Sequence, residues 1–91
     1  MSELIEAVHA LLSRPGDLPP PPVRKALRRA DGLTQEQVAT ALGVKRLAVA
    51  RWEAGQVEPR APHRQAYAEL LRGLAARYPQ IAEHAHHMET R

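Results

Sequence analysis

Apolar residues recur at helical spacing along much of the 91-residue chain, and no stretch alternates as a half-buried strand does. We therefore predict an all-α fold, a small helical domain of about five helices. The first apolar stripe lies near the N-terminus, at Leu4, Ile5, Val8, Leu11 and Leu12. Ser2 can cap this helix, and Pro15-Gly16 is expected to end it. Its apolar face either packs on the domain or, as we favour, takes part in a dimer interface.

A proline-rich spacer precedes the second helix. Residues 17–22 read DLPPPP, a stiff polyproline segment, and a docking peptide is the less favoured alternative to a spacer. Pro22 suits the first turn of the next helix, because its missing N–H is not needed there. The predicted buried face of that helix consists of Val23, Ala26, Leu27 and Ala30. The basic residues of the same helix are expected to project elsewhere: Arg24, Lys25, Arg28 and Arg29.

Two short helices joined by a tight turn are predicted between Leu33 and Pro59. Thr34 and Gln37 stand at the two positions of a capping box, which marks the start of the first of them. Gly43 is expected to end it in the left-handed conformation. The apolar face of this helix is formed by Val38, Ala39 and Leu42.

The second short helix is predicted to run from about Lys45 to Ala54. At 100° per residue, one side is directed into a core: Ala48, Val49 and Trp52. The opposite side is directed into solvent: Arg46, Leu47, Ala50 and Arg51. An exposed leucine beside two arginines adds little to folding, whereas Arg can bind guanine edges and Leu can contact a thymine methyl group. This helix is therefore suited to a DNA groove.

A long helix is predicted to start at Pro62 and to run to about Tyr78, where Pro79 stops it. Its apolar stripe is formed by Tyr67, Leu70, Leu71, Leu74, Ala75 and Tyr78. Gly73 weakens this helix by about 1 kcal/mol relative to Ala, a cost that a close helix–helix contact at this position would explain. Residues 80–91 are expected to add a turn or two and then to form a solvated tail.

Charge is concentrated around the two short helices. The net charge is +3, but residues 24–64 alone carry nine Lys or Arg against four acids, which gives +5. Such a distribution is typical of a binder of the phosphate backbone, although a solvated basic face is the simpler alternative. Cysteine is absent, which excludes disulfides and thiolate metal sites. With no signal peptide or membrane-spanning run in the sequence, we expect a cytoplasmic protein.

The stretch from Leu33 to Pro59 resembles the helix-turn-helix of the XRE family, the group that includes phage Cro and repressor proteins. The resemblance covers about Val23 to Arg60. It rests on residues in register: Leu33-Thr34-Gln35-Glu36, Val38-Ala39, Gly43-Val44, Arg51-Trp52-Glu53-Ala54-Gly55 and Pro59. It implies a lambda-repressor-like fold, here with an added N-terminal helix and with one long C-terminal helix where the family usually has two. It also implies a double-stranded DNA partner and a homodimer.

The resemblance implies roles for particular residues. Base edges are expected to face Lys45, Arg46, Leu47 and Arg51. Phosphates are expected to face Thr34 and Gln35. By their place at the start of the long helix, Arg60, His63 and Arg64 are further, weaker candidates for contacts with the same strand. Lys45 departs from the family, which usually has Ser or Thr there as a cap, and a nearby phosphate would offset that defect. Arg28 and Glu53 are expected to form a structural ion pair. In the alternative, Arg46 and Arg51 contact phosphates only and specificity is weak.

Other chemistry is weakly supported. His84, His86 and His87 beside Glu83 could be drawn as a metal cluster, but a solvated tail is the better interpretation. His9 and Ser13 share a helix face without a pocket, so no enzyme and no cofactor are predicted. The predicted organisation is an N-terminal helix (1–14), a spacer (15–22), the helix-turn-helix domain (23–79) and a tail (80–91).

The leading functional hypothesis is a repressor-type regulator that binds a two-fold-related operator as a homodimer. Two alternatives stay open. The protein can be an antitoxin-like or accessory module whose terminal helices bind a protein partner, or a structural DNA binder with little sequence preference.

Overall fold

A computed structural model describes residues 2–12 and 17–83, and within them it is all-α, as predicted. It contains α1 (Ser2–Leu12), α2 (Pro21–Ala30), α3 (Gln35–Leu42), α4 (Arg46–Glu53) and α5 (His63–Arg77), followed by a short helical segment at 79–83. In this part of the chain no helix is long and apolar enough to cross a membrane. The predicted end of α1 at Pro15-Gly16, Ser13 and the histidines at positions 84, 86 and 87 lie outside the described residues.

Four helices, α2 to α5, enclose the core. α3 packs against α4 and α2 packs against α5, while α2 also contacts α4 and α3 contacts α5. The core side chains come from all four helices and from the spacer: Leu18, Val23, Leu27, Val38, Ala39, Val49, Trp52, Tyr67, Ala68, Leu71 and Leu74. The rings of Trp52 and Tyr67 pack in a tilted pair with centroids 4.9 Å apart. Because the chain has no Phe, this pair supplies the largest apolar surface of the core.

The buried face of α2 differs from the predicted one. Val23 and Leu27 are buried as expected, but Ala26 and Ala30 are exposed and Arg24 is buried instead. The helix is therefore rotated so that a guanidinium, rather than two methyl groups, faces the body of the protein. Pro22 lies in the first turn of α2 as expected, since the helix begins at Pro21 with Pro20 at the N-cap.

The long helix α5 begins one residue later than predicted. Pro62 lies at the N-cap and the first helical residue is His63. Pro79 ends α5 as expected but also opens the segment 79–83. Gly73 is exposed, and a Cβ placed on it would have no neighbour within 4 Å, so no close contact with another described residue explains this glycine.

The end of α5 is tied to the end of α2. The hydroxyl of Tyr78 donates a hydrogen bond to Asp31 (2.8 Å), and the Arg77 guanidinium donates to the same carboxylate (3.0 Å). These two hydrogen bonds, Tyr78 first, hold the pKa of Asp31 below its ordinary value. The two hydrogen bonds therefore join the C-terminal ends of α2 and α5.

Candidate nucleic-acid interface

The start and end of α3 are fixed by its own sequence. The Gln37 amide donates to the Thr34 hydroxyl oxygen (3.0 Å), and the Thr34 amide donates to the Gln37 side chain (2.8 Å), so the predicted capping box is present. Gly43 adopts φ 71°, and the Val44 amide donates to the Ala39 carbonyl (3.0 Å) in a Schellman motif. Because this turn is tight, only three residues separate Leu42 from the start of α4, and α4 packs closely against α3, as in a helix-turn-helix.

The two sides of α4 have opposite surroundings. Val49 is fully buried and Trp52 is nearly so, whereas Arg46, Leu47 and Arg51 are exposed. The solvent side therefore matches the predicted one, except that Ala50 is half-buried. Lys45 is the N-cap of α4 and makes no side-chain cap hydrogen bond, so the first amides of this helix stay open.

A chain of polar contacts joins α4 to α2 and α3. Glu53, whose side chain is only 3 % exposed, accepts hydrogen bonds from two nitrogens of Arg28 (2.6 and 3.0 Å). It also accepts one from Gln35 Nε2 (3.1 Å), and Gln35 Oε1 accepts one from Arg46 (3.1 Å). The Arg28–Glu53 ion pair is thus confirmed, and Gln35 connects it to the exposed start of α4. Arg46 at the start of α4 and Glu53 at its end both take part in these hydrogen bonds, so the helix is held in a fixed orientation.

Arg24, on α2, binds the C-terminal end of α4. Its guanidinium donates to the Trp52 carbonyl (3.1 Å), to the Pro19 carbonyl (2.7 Å) and to both oxygens of Glu58 (3.1 and 3.2 Å). A positive charge at a helix C-terminus also interacts favourably with the helix dipole. Sequence reasoning missed this residue, because its acceptors come from three separate segments and no local pattern brings them together.

Arg64 is bound within the protein. Its guanidinium donates to the Asp17 carboxylate at 2.6 to 3.1 Å and to the Pro59 carbonyl at 3.2 Å, and both side chains of the pair are 12 % exposed. The hydrogen bonds that Arg64 donates to Asp17 raise the pKa of Arg64 above its ordinary value. This pairing argues against the expected phosphate contact by Arg64.

An open concavity of about 580 Å³ lies beside the start of α3. Its walls come from the end of α2, the α2–α3 turn and the first turns of α3 and α4: Arg28, Arg29, Gly32, Leu33, Thr34, Gln35, Glu36 and Arg46. Arg29 was not predicted as a site residue. Its exposure and its position one residue after a structurally paired arginine are the signals that distinguish it, and only the fold places it beside Thr34.

Comparison with known proteins identifies the domain. A family model described as "Helix-turn-helix" matches residues 25–76, more than half of the chain. The chain belongs to the XRE (Cro- and phage-repressor-type) helix-turn-helix family. This is a DNA-binding family of transcription-regulator type rather than an enzyme family. Comparisons with curated proteins and with solved structures give no significant match.

The XRE domain sorts its basic residues into two groups. Three of the nine in residues 24–64 are paired with acids and largely buried: Arg24, Arg28 and Arg64. The other six are exposed: Lys25, Arg29, Lys45, Arg46, Arg51 and Arg60. The matched region begins within α2, at residue 25, extends to the penultimate residue of α5 and leaves α1 outside. The added N-terminal helix is therefore not accounted for by the family.

Proposed function

We propose that this XRE protein is a sequence-specific double-stranded DNA-binding regulator of repressor type. It binds a two-fold-related operator as a homodimer, with one α4 in the major groove of each half-site. Half-sites then lie about 34–36 Å apart. Lys45, Arg46, Leu47 and Arg51 face base edges in this arrangement.

The observation that carries this proposal is the fixed, exposed face of α4. Arg46, Leu47 and Arg51 are directed into solvent while the opposite face is buried. The chain from Arg28 to Arg46 holds the helix by hydrogen bonds of 2.6 to 3.1 Å. A rigid element that presents donors and a methyl-rich side chain is what direct readout needs, because a mobile helix would lose binding free energy on ordering.

Phosphate contacts are proposed at the concavity beside α3. The Thr34 oxygen accepts from the Gln37 amide, which leaves its hydroxyl hydrogen to donate to a phosphate oxygen. The amides of Gln35 and Glu36 open α3 and have no intrahelical acceptor, so they favour an anion there. Arg29 on the wall of the same concavity adds a positive charge. Outside the concavity, Arg60 is exposed in the loop after α4 and is proposed as a further phosphate contact. Arg64 is left out because Asp17 already binds it.

Selection from a random duplex pool at near-physiological salt tests this function. The expected result is enrichment of an inverted repeat whose half-sites have a constant spacing. Salt-dependent binding without enrichment would instead identify a structural DNA binder. Absence of binding would contradict both and favour the accessory module with a protein partner.

Arg51→Ala and Arg60→Ala then test the assignment of the two kinds of contact. Arg51→Ala is expected to lose about 1–3 kcal/mol at particular base positions and to relax the selected sequence there. Arg60→Ala serves as the matched control, since it is expected to weaken binding evenly over all sequences. If both variants leave the preferred sequence unchanged, the assigned face of α4 is wrong.

A further inference from the structure

The apolar stripe of α1 faces away from the domain. Leu4, Ile5, Val8 and Leu11 are 69, 52, 53 and 63 % exposed. Glu6, on the other side of the helix, lines a cavity of about 340 Å³ with residues from the start of α5. Glu6 is thus on the side of the helix nearer the domain, and the four described side chains of the apolar stripe do not contribute to the core. An exposed apolar face of this kind marks an interaction surface.

The spacing of the stripe is symmetric. Apolar residues stand at positions 4, 5, 8, 11 and 12, and this pattern reads the same in both directions about Val8. Two antiparallel copies of the helix crossing at Val8 therefore place residue 4 across from 12 and residue 5 across from 11. A two-fold interface needs this property, because each contact from one copy must be repeated by the other.

The charges on α1 favour the same arrangement. Both acids, Glu3 and Glu6, lie in the N-terminal half of the helix. In an antiparallel pair the acids of the two copies are at opposite ends, whereas a parallel pair would bring like charges together. The same acids disfavour DNA phosphates as the occupant of the stripe, and they disfavour an anionic lipid surface.

We propose that α1 is a dimerisation arm that pairs antiparallel with α1 of a second copy, with Val8 against the partner's Val8 at the two-fold axis. Only the role of this dimer, which is to place two α4 helices on one operator, rests on the proposed function. Self-association through the arm does not itself require DNA.

The size of the arm predicts a weak dimer. An 11-residue helix is about 16 Å long, and a contact of that length buries less than the roughly 1,200 Å² of a stable interface. We therefore expect a dissociation constant above about 1 μM in the absence of DNA. On an operator, the two copies are held at high effective concentration, so the same contact gives cooperative binding.

Opposite charges at position 8 test the self-contact. Val8→Glu and Val8→Lys each place two like charges at the two-fold axis, and each is expected to weaken self-association by about tenfold or more. An equimolar mixture of the two variants pairs opposite charges and is expected to associate at least as well as the wild-type protein. Sedimentation equilibrium up to about 1 mM protein measures all of these samples without DNA.

A control at an exposed position of α5 separates this interface from another one. Ala76→Glu adds the same charge outside α1 and is expected to leave self-association unchanged, and circular dichroism checks that all variants keep their helix content. A monomeric wild type, unaffected Val8 variants or failure of the mixture to associate would overturn the proposal. Loss of the dimer in Ala76→Glu alone would place the interface on α5. Failure of the DNA selection overturns the proposed function without touching these results.

Discussion

Tyr67 places a hydroxyl group in the core without a hydrogen-bond partner among the described residues. The residue is 2 % exposed, and its ring packs against Trp52. Burial, with a smaller effect of the Glu53 carboxylate, raises the pKa of the Tyr67 phenol well above its ordinary value of 10. A buried hydroxyl that is left unpaired costs about 1–3 kcal/mol, so the ring contributes to stability while its oxygen opposes it.

Tyr67→Phe is therefore expected to leave the free energy of unfolding at pH 7 unchanged or to raise it by about 1 kcal/mol. Above pH 10 the unfolded chain loses the Tyr67 proton while the folded chain keeps it, so stability falls with rising pH by up to about 1.4 kcal/mol per pH unit. Tyr67→Phe should therefore remove the part of this loss of stability at high pH that the Tyr67 phenol causes.

Urea unfolding of both proteins at pH 7 and near pH 11 measures the two effects. Tyr78→Phe is the matched control, because Tyr78 is half-buried and donates its hydrogen bond to Asp31. That variant should lose stability at pH 7. A loss of more than 1 kcal/mol at pH 7 in Tyr67→Phe would contradict the expected benefit.

Single residues also show where sequence reasoning stops. The spacing of α4 predicted that Val49 and Trp52 are buried and Arg51 is exposed, because one helix face is a local property. The Arg28–Glu53 pair was expected only through the family resemblance. Arg24 was expected in solvent, since an isolated arginine is rarely buried, and its acceptors are assembled only by the tertiary fold.

At the scale of elements, two glycines illustrate opposite requirements. Gly43 ends α3 at φ 71°, a conformation that costs most other residues free energy. Gly73 lies inside α5, exposed and with open space around its Cα. The same substitution should therefore act in opposite directions at these positions.

Gly73→Ala is expected to raise the free energy of unfolding by about 0.5–1 kcal/mol, since Ala is the better helix former. Gly43→Ala is expected to lower it by about 1 kcal/mol, because Ala is strained at positive φ. Thermal or urea unfolding of the two variants beside the wild-type protein checks both signs. No gain in Gly73→Ala would indicate that this part of α5 needs the glycine for a contact outside the described chain.

Helix boundaries followed from the sequence wherever a side chain marks them. The Thr34 and Gln37 cap and the Gly43 end of α3 were placed correctly, because capping depends on residues within one turn. Pro22 was placed correctly in the first turn of α2, because its missing N–H is not needed there. The ion pair from Arg64 to Asp17 joins residues 47 positions apart, and no local rule predicts it.

At the scale of the whole molecule, ion pairs within the fold reduce the number of basic side chains that can bind DNA phosphates. The sequence places nine basic residues between positions 24 and 64. Three of them neutralise acids inside the fold, so the number available for phosphates is smaller than the composition indicates. Salt dependence of DNA binding measures that number directly, because each neutralised phosphate adds about 0.9 to the slope of log K against log salt.

Arg29→Gln is expected to reduce this slope by about 0.9 and to weaken binding evenly over all sequences, since it removes one proposed phosphate contact. Arg72→Gln is the matched control. Arg72 is 68 % exposed on α5 and pairs only loosely with Glu69 at 3.7 Å. Titrations at several salt concentrations should show an unchanged slope for Arg72→Gln. An equal change in both variants would show that long-range charge alone is measured, rather than a contact at the concavity.

The separation between the two faces of α4 has a consequence for how such a protein can diverge. Folding depends on Val49 and Trp52, whereas the proposed target depends on Leu47 and Arg51, which are exposed and take no part in the core. Gene duplicates can therefore accumulate substitutions on the outer face while their stability stays nearly constant. One scaffold can in this way give rise to paralogues that recognise different operators without passing through an unfolded ancestor.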